Sequence, residues 1–115
     1  MGADYDRAVR EHMIDLLFVS DQLVALIEAM HAADHLLIEN VAVSPAFQGR
    51  GYGRLLLEHA ERLAASLRLP ELKLYTNKQF ATNVEIYRRL GYVIEHEEPF
   101  MGGFIVHMSK QVATA

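Results

Sequence analysis

The chain has 115 residues, of which 51% are hydrophobic, and carries eleven Lys plus Arg against fifteen Asp plus Glu, a formal net charge of −4. That length holds one small domain of the usual size, and the apolar content is too high for a disordered chain. The acidic balance excludes a general attraction for nucleic acid, and the lack of cysteine excludes disulfides, thiolate nucleophiles and thiolate-held metals together.

The first residues, Met1-Gly2-Ala3-Asp4-Tyr5-Asp6, have neither the basic stretch nor the apolar segment of a signal peptide, and no Ser or Thr where a myristoylation motif needs one. No run approaches the roughly 18 apolar residues that cross a bilayer, so the expectation is a cytoplasmic protein without a membrane partner. In residues 3–11 the apolar Tyr5, Ala8 and Val9 are too sparse to decide between a short helix and a loose end. Residues 1–12 are read as a short N-terminal segment, 13–110 as a single domain, and 111–115 as a frayed tail.

An apolar run over residues 13–19 ends at Ser20-Asp21-Gln22, and a second run over 23–30 follows at once, which is the pattern of a β-hairpin. A third run over 36–43 is stopped by Ser44-Pro45 and completes a meander of three strands. The period then changes. From Tyr52, the residues Leu56, Ala60, Leu63, Ala64 and Leu67 recur at helical spacing opposite Arg54, Glu58, Glu61, Arg62 and Arg68, and Leu69-Pro70 ends that helix. Leu72, Leu74 and Thr76 alternate with charged and aromatic neighbours as a short strand does. A second helix is expected over residues 79–90 with Gly91 as its stop, followed by strands over 92–97 and 104–109 joined through Pro99 and Gly102-Gly103. The order β-β-β-α-β-α-β-β describes a mixed α/β (α+β) sheet whose first helix is a crossover between strands.

Gln48-Gly49-Arg50-Gly51-Tyr52-Gly53 falls directly between a strand and the stronger helix. Alternate glycines let the backbone approach a ligand closely, and the free N–H groups of the first helical turn, helped by the helix dipole, then face an anion. Arg50 and Arg54 supply charge at the rim, so a diphosphate suits the site. A glycine-rich tight turn without a ligand is the plainer reading of the same string. No Gly-Lys-Ser/Thr follows, and the spacing is not that of the dinucleotide fingerprint.

Val41-Ala42-Val43-Ser44-Pro45 followed by this glycine string resembles the acetyl-CoA signature of the GNAT superfamily of N-acetyltransferases, in which Gln or Arg is followed after two residues by Gly-x-Gly or Gly-x-Ala. Asn83, Tyr87 and Leu90-Gly91-Tyr92 resemble the family's second signature, an Asn-x-x-x-Tyr helix that ends in Gly-Phe or Gly-Tyr. The resemblance covers about residues 23–110. It implies a GNAT-like acyl-CoA N-acyltransferase fold and direct transfer of acetyl from acetyl-CoA to a primary amine, with no covalent enzyme intermediate. No metal is expected, since the six histidines form neither an i, i+4 pair on a helix nor a His-Glu-x-x-His string.

By the same resemblance, main-chain groups of Val41, Ala42 and Val43 hold the pantetheine arm and the thioester oxygen, although their side chains read equally as core. The backbone of Gln48, Gly49, Arg50, Gly51, Tyr52, Gly53 and Arg54 holds the pyrophosphate. Tyr87 is the acid for the departing sulfur, with Asn83 on the same helix face, whereas Tyr92 reads as packing. Asn77 contacts the pantetheine or caps the next helix. Glu39 is the candidate base, set by strand alternation on the side of Val41 and Val43; a surface carboxylate is its plainer reading, and His31 and His35 are alternatives.

Members of the family have a strand and one or two helices before the first hairpin, where this sequence has about twelve residues. Three readings follow: a short member, an acceptor side completed by a second copy, or acceptor binding lost. An edge left at residues 13–19 invites pairing between chains, so a homodimer is expected. The acceptor is an amine of a small molecule, peptide or protein. The alternatives are a module that binds acetyl-CoA or coenzyme A without turnover, and a glycine-loop domain for another diphosphate such as a nucleotide.

Overall fold

The computed structural model describes residues 12–79 and 81–113, and of residues 81 and 82 only the backbone; the undecided segment 3–11 and the end of the tail lie outside the described residues. In chain order the elements are β1 (His12–Val19), β2 (Gln22–His31), β3 (Leu36–Val43), a single 3-10 turn (Pro45–Phe47), α1 (Tyr52–Ser66), β4 (Glu71–Asn77), α2 (Ala81–Arg89), β5 (Val93–Phe100) and β6 (Gly103–Gln111). They form one six-stranded sheet in the order β1-β2-β3-β4-β6-β5. All neighbours are antiparallel except β3 and β4, which α1 joins as the expected crossover. Among the described residues no helix is long and apolar enough to cross a membrane.

The β1–β2 connection is a two-residue turn in which Ser20 and Asp21 both take positive φ, the geometry that matches the twist of a hairpin. The β5–β6 turn repeats it with Met101 and Gly102. Strand β5 therefore runs further than expected: Pro99 is not in the connection but in the strand, paired with Phe104. It is tolerated there because β5 is an edge strand, where a missing N–H breaks no ladder.

Helix α1 packs across β2, β3 and β4. It buries Leu56, Leu57, Ala60 and Ala64, while Leu63 and Leu67 of the expected stripe stay half-buried at its margin. Ala60 and Ala64 bring the helix close to Ala25, Ile27, Leu36, Ile38, Leu72 and Leu74 in the core. The helix stops one turn before Pro70. Arg68 takes positive φ, and Leu69 donates its N–H to the Ala64 carbonyl at 2.9 Å, closing the helix end as a glycine commonly does.

Two irregularities shape the site end of the sheet. In β2 the register slips at Val24, whose carbonyl accepts the Ser44 N–H at 2.8 Å and so anchors the exit of β3. In β3 it slips at Glu39: Ala29 faces Ile38 and Glu28 faces Asn40, which leaves Glu39 as the extra residue of a bulge. Bulges bend and over-twist a strand. Pairing of β3 with β4 covers only Leu36 to Ile38 against Leu72 to Leu74. Beyond the bulge the two parallel strands diverge.

Candidate active site

The divergence opens a wedge of about 360 Å³ between β3 and β4, walled by Glu39, Asn40 and Val41 on one side, Tyr75, Thr76 and Asn77 on the other, with Asn83 and Tyr87 of α2 and with Phe100 and Ile105 from the last two strands. A second pocket of about 450 Å³ lies over the glycine loop, between Val41, Val43, Phe47, the N-terminal turns of α1, and Asn83, Ile86 and Tyr87 of α2. The two cavities share Val41, Asn83 and Tyr87. The two cavities therefore adjoin beside Tyr87.

The loop is built to leave backbone exposed. Gly49 and Gly51 have φ of +79° and +85°, a region that other residues enter at a cost, and a Cβ at either would meet no protein atom within 4 Å. Packing does not demand these glycines; the backbone path and the open space above it do. Gly51 is the N-cap of α1 and supplies no side-chain cap, and the first helical bond runs from the Leu55 N–H to the Gly51 carbonyl. The N–H groups of Tyr52, Gly53 and Arg54 precede that first bond, at the positive end of the helix dipole. The Gln48 side chain donates from Nε2 to the Val43 carbonyl at 3.2 Å, tying the loop to the end of β3.

Of the residues expected to hold a cofactor, Val41, Val43, Gln48, Gly49, Gly51, Tyr52, Gly53, Arg54, Asn83 and Tyr87 line the loop pocket. Two do not. The Arg50 guanidinium lies over the Phe47 ring at 5.1 Å, at the loop's outer rim, and Ala42 is exposed, paired with Leu26. Asn77 lines the wedge rather than the loop, and its Oδ1 accepts the Gln79 N–H at 3.0 Å. That turn is why α2 begins at Ala81 and not at residue 79.

Tyr87 is half-buried, and burial raises its pKa above the ordinary phenol value, so the hydroxyl is a protonated donor at neutral pH. Among the described residues no protein group takes that hydroxyl. The Tyr87 and Tyr92 rings meet edge-on, with their centroids 5.8 Å apart. Tyr92 is the packing residue expected: it is buried, its hydroxyl has no partner among the described residues, and burial, then Glu61 and Tyr87, push its pKa up further.

Glu39 requires a correction. Simple alternation set it on the side of Val41 and Val43, but the bulge inserts one residue and reverses the alternation. Ile38, Val41 and Val43 share the helix side through their partners Ala29, Ile27 and Ala25. Glu39 and Asn40 are both exposed and lie with Glu28, which receives the Asn40 amide at 3.4 Å; His12 stands 3.5 Å from Glu28 and 4.0 Å from Glu39. Glu39 still walls the wedge, now from the far face. His31 and His35 are at the opposite end of β3, where His31 pairs with Leu36 and His35 holds Asp34 at 2.8 Å. They are too remote to act at the wedge.

Sequence reasoning missed Asn40, Tyr75, Phe100 and Ile105. Tyr75 carried a local signal, being the aromatic on the polar side of β4. Phe100 and Ile105 carried none, because only the strand order sets β6 beside β4 and β5 beyond it.

The sequence profile described as the acetyltransferase (GNAT) domain matches residues 13–94, from β1 into β5. Solved structures share the fold. The ribosomal-protein-S18-alanine N-acetyltransferase of Escherichia coli superposes with a TM-score of 0.83 at 21% identity, over 99% of this chain and 77% of that one. A GNAT family acetyltransferase from Elizabethkingia anophelis with acetyl-CoA bound gives 0.80 at 15%, over 97% and 84%. The PaiA N-acetyltransferase of Thermoplasma acidophilum, in complex with coenzyme A, gives 0.76 at 21%, over 95% and 67%. Identities this low speak for the fold alone, but the profile match spans well over half of the chain, from β1 through both helices: the chain belongs to the GNAT acetyltransferase family.

Proposed function

We propose that the protein is an N-acetyltransferase that uses acetyl-CoA and passes the acetyl group directly to a primary amine. The observation that carries this reading is the junction of the two cavities at Val41, Asn83 and Tyr87. Direct transfer needs donor and acceptor in contact, and a divided site with one shared wall supplies that contact.

The loop pocket suits the donor. Its uncapped N–H groups match a pyrophosphate, and the space a Cβ would fill at Gly49 and Gly51 is left open to it. When bound, acetyl-CoA supplies an activated acyl group whose C–S bond breaks as the C–N bond forms. Tyr87 gives its phenolic proton to the leaving sulfur. Glu39, the one charged residue of the wedge wall, receives the proton that the attacking amine sheds. Tyr75 and Phe100, about half exposed, line the same wedge, and aromatic rings near a carboxylate favour a cationic amine over an anionic acceptor.

The first test is calorimetric titration with acetyl-CoA, followed by a free-thiol assay of the same samples against a pool of amines. Micromolar binding with thiol release is the expected result. Binding with no release across the pool would instead make the protein a coenzyme A-binding module. Binding of ADP but not of coenzyme A would assign the loop to a nucleotide, and no binding at all would overturn the reading.

A further inference from the structure

The two edges of the sheet are finished differently. Strand β5 carries the usual protections of an edge: a bulge at Glu95, the acids Glu95, Glu97 and Glu98, and Pro99. Strand β1 has neither a bulge nor a proline, and only one acid. Its sequence, HMIDLLFV, contains no Lys, Arg or Pro, and the irregularity of the β1–β2 ladder falls on Val24 of β2, so β1 keeps an unbroken alternation. Among the described residues nothing pairs with its outer edge. On the side away from α1 it presents Ile14, Leu16 and Phe18, which are 54%, 51% and 55% exposed and are continued by Leu23 opposite Phe18. Its single acid, Asp15, faces the helix side, where it meets the His59 ring nitrogen at 2.9 Å.

We infer that a second copy of this chain occupies that edge, with the two β1 strands antiparallel about a two-fold axis at Leu16. The strand's own pattern selects this partner and register. Directly opposed residues of an antiparallel pair point to the same face, so in a symmetric pair the two residue numbers must sum to an even number. An axis at residue 15 would oppose Asp15 to the partner's Asp15. An axis at residue 14 would set Leu16 against the partner's His12 and leave Phe18 beyond the pairing. An axis at residue 17 would oppose Ile14 to the partner's Ser20. Only the axis at Leu16 places every exposed hydrophobic of the strand against another: Leu16 against the partner's Leu16, and Ile14 against the partner's Phe18. Asp15 then faces the partner's Leu17, with its carboxylate still held by His59.

The chain has no cysteine, so a single substitution introduces its only thiol. Light scattering at micromolar concentration should give twice the monomer mass. Mild oxidation of Leu16→Cys should give a covalent dimer, because the two side chains are opposed within about 4.5–5.5 Å, whereas Phe18→Cys, whose counterpart is the partner's Ile14, should not cross-link to itself. Leu16→Lys opposes two like charges at the axis and should be monomeric with an unchanged circular dichroism spectrum. A parent protein that is monomeric would overturn the proposal, as it would if residues 1–11 covered the edge within one chain. A dimer that cross-links through Phe18→Cys and not Leu16→Cys, or that survives Leu16→Lys, would overturn it too.

Discussion

The loop pocket and the wedge adjoin, yet they are made of different material. The loop pocket is chiefly a stretch of main chain: two glycines at positive φ, three N–H groups at the start of α1, and a Gln48 side chain that ties the path to β3. The wedge is a meeting of side chains from β3, β4, α2, β5 and β6, and it exists because a bulge at Glu39 ends the pairing of two parallel strands. A main-chain site depends on conformation and is damaged by an added side chain; a side-chain site depends on register and is damaged by a removed group. The two halves should therefore fail differently, the first in affinity and the second in turnover.

The largest effect should come from the loop. Gly51→Val sets a β-branched residue at a φ of +85° and directs it into the open space over the loop, where the proposed pyrophosphate would sit. Loss of one or two charge-assisted hydrogen bonds corresponds to about 3 kcal/mol, so affinity for acetyl-CoA should fall roughly 100-fold by calorimetry. Gly102→Val is the matched control: its φ is +81°, a Cβ there also meets nothing, and it lies in the β5–β6 turn. Both variants should lose stability, and only the first should lose affinity. Parallel loss of affinity in the two would mean that strain, not the phosphate contact, is being read.

The same contrast decides what could be read from sequence. Glycine spacing, the period of α1 and the stop at Ser44-Pro45 are local signals, and β3 and the start of α1 lie where those signals set them. Glu39 was readable as a candidate but not in its orientation, because a bulge is a relation between two strands and leaves no mark in either one. Leu57 was legible and passed over: it precedes Ala60 by three residues and Ala64 by seven, on the buried face that the period of α1 itself marks. Pro99 looked like a connection, since the position of β5 at the sheet edge is a property of the whole topology. Asn77 was legible as a contact or a cap and proved to close the turn before α2 while also walling the wedge.

On the wedge side, Tyr87→Phe keeps the ring and its contact with Tyr92 and removes only the proton donor. A hydrogen bond to a developing thiolate contributes about 2 kcal/mol, so kcat should drop roughly 30-fold with acetyl-CoA affinity unchanged. Equal losses in both would reassign the hydroxyl to ground-state binding. Because burial holds the phenol protonated, the wild-type rate should show no loss of this donor as pH rises until beyond the ordinary tyrosine value of about 10. A smaller change, about tenfold in kcat/KM at neutral pH, is expected for Glu39→Gln, since an exposed carboxylate can be replaced in part by water or buffer. The deficit should narrow as pH rises and more of the acceptor is already the free amine; a constant deficit would leave Glu39 a role in charge or shape but not as a base.

The smallest effect tests whether the second tyrosine of the pair belongs to the site at all. Tyr92 is 3% exposed, and its hydroxyl is the one buried side-chain polar atom without a partner among the described residues. An unpaired buried hydroxyl opposes folding by about 1–3 kcal/mol, and part of that is offset by packing of the oxygen against its neighbours. Tyr92→Phe should therefore stabilise the domain by about 0.5–1 kcal/mol, a rise of a few degrees in Tm, with kcat and acetyl-CoA affinity unchanged. A fall in Tm would show that the hydroxyl has a hydrogen-bonding partner after all. The two rings are neighbours in one motif, and the same substitution should cost turnover at the ring that reaches both cavities and add stability at the ring that reaches neither.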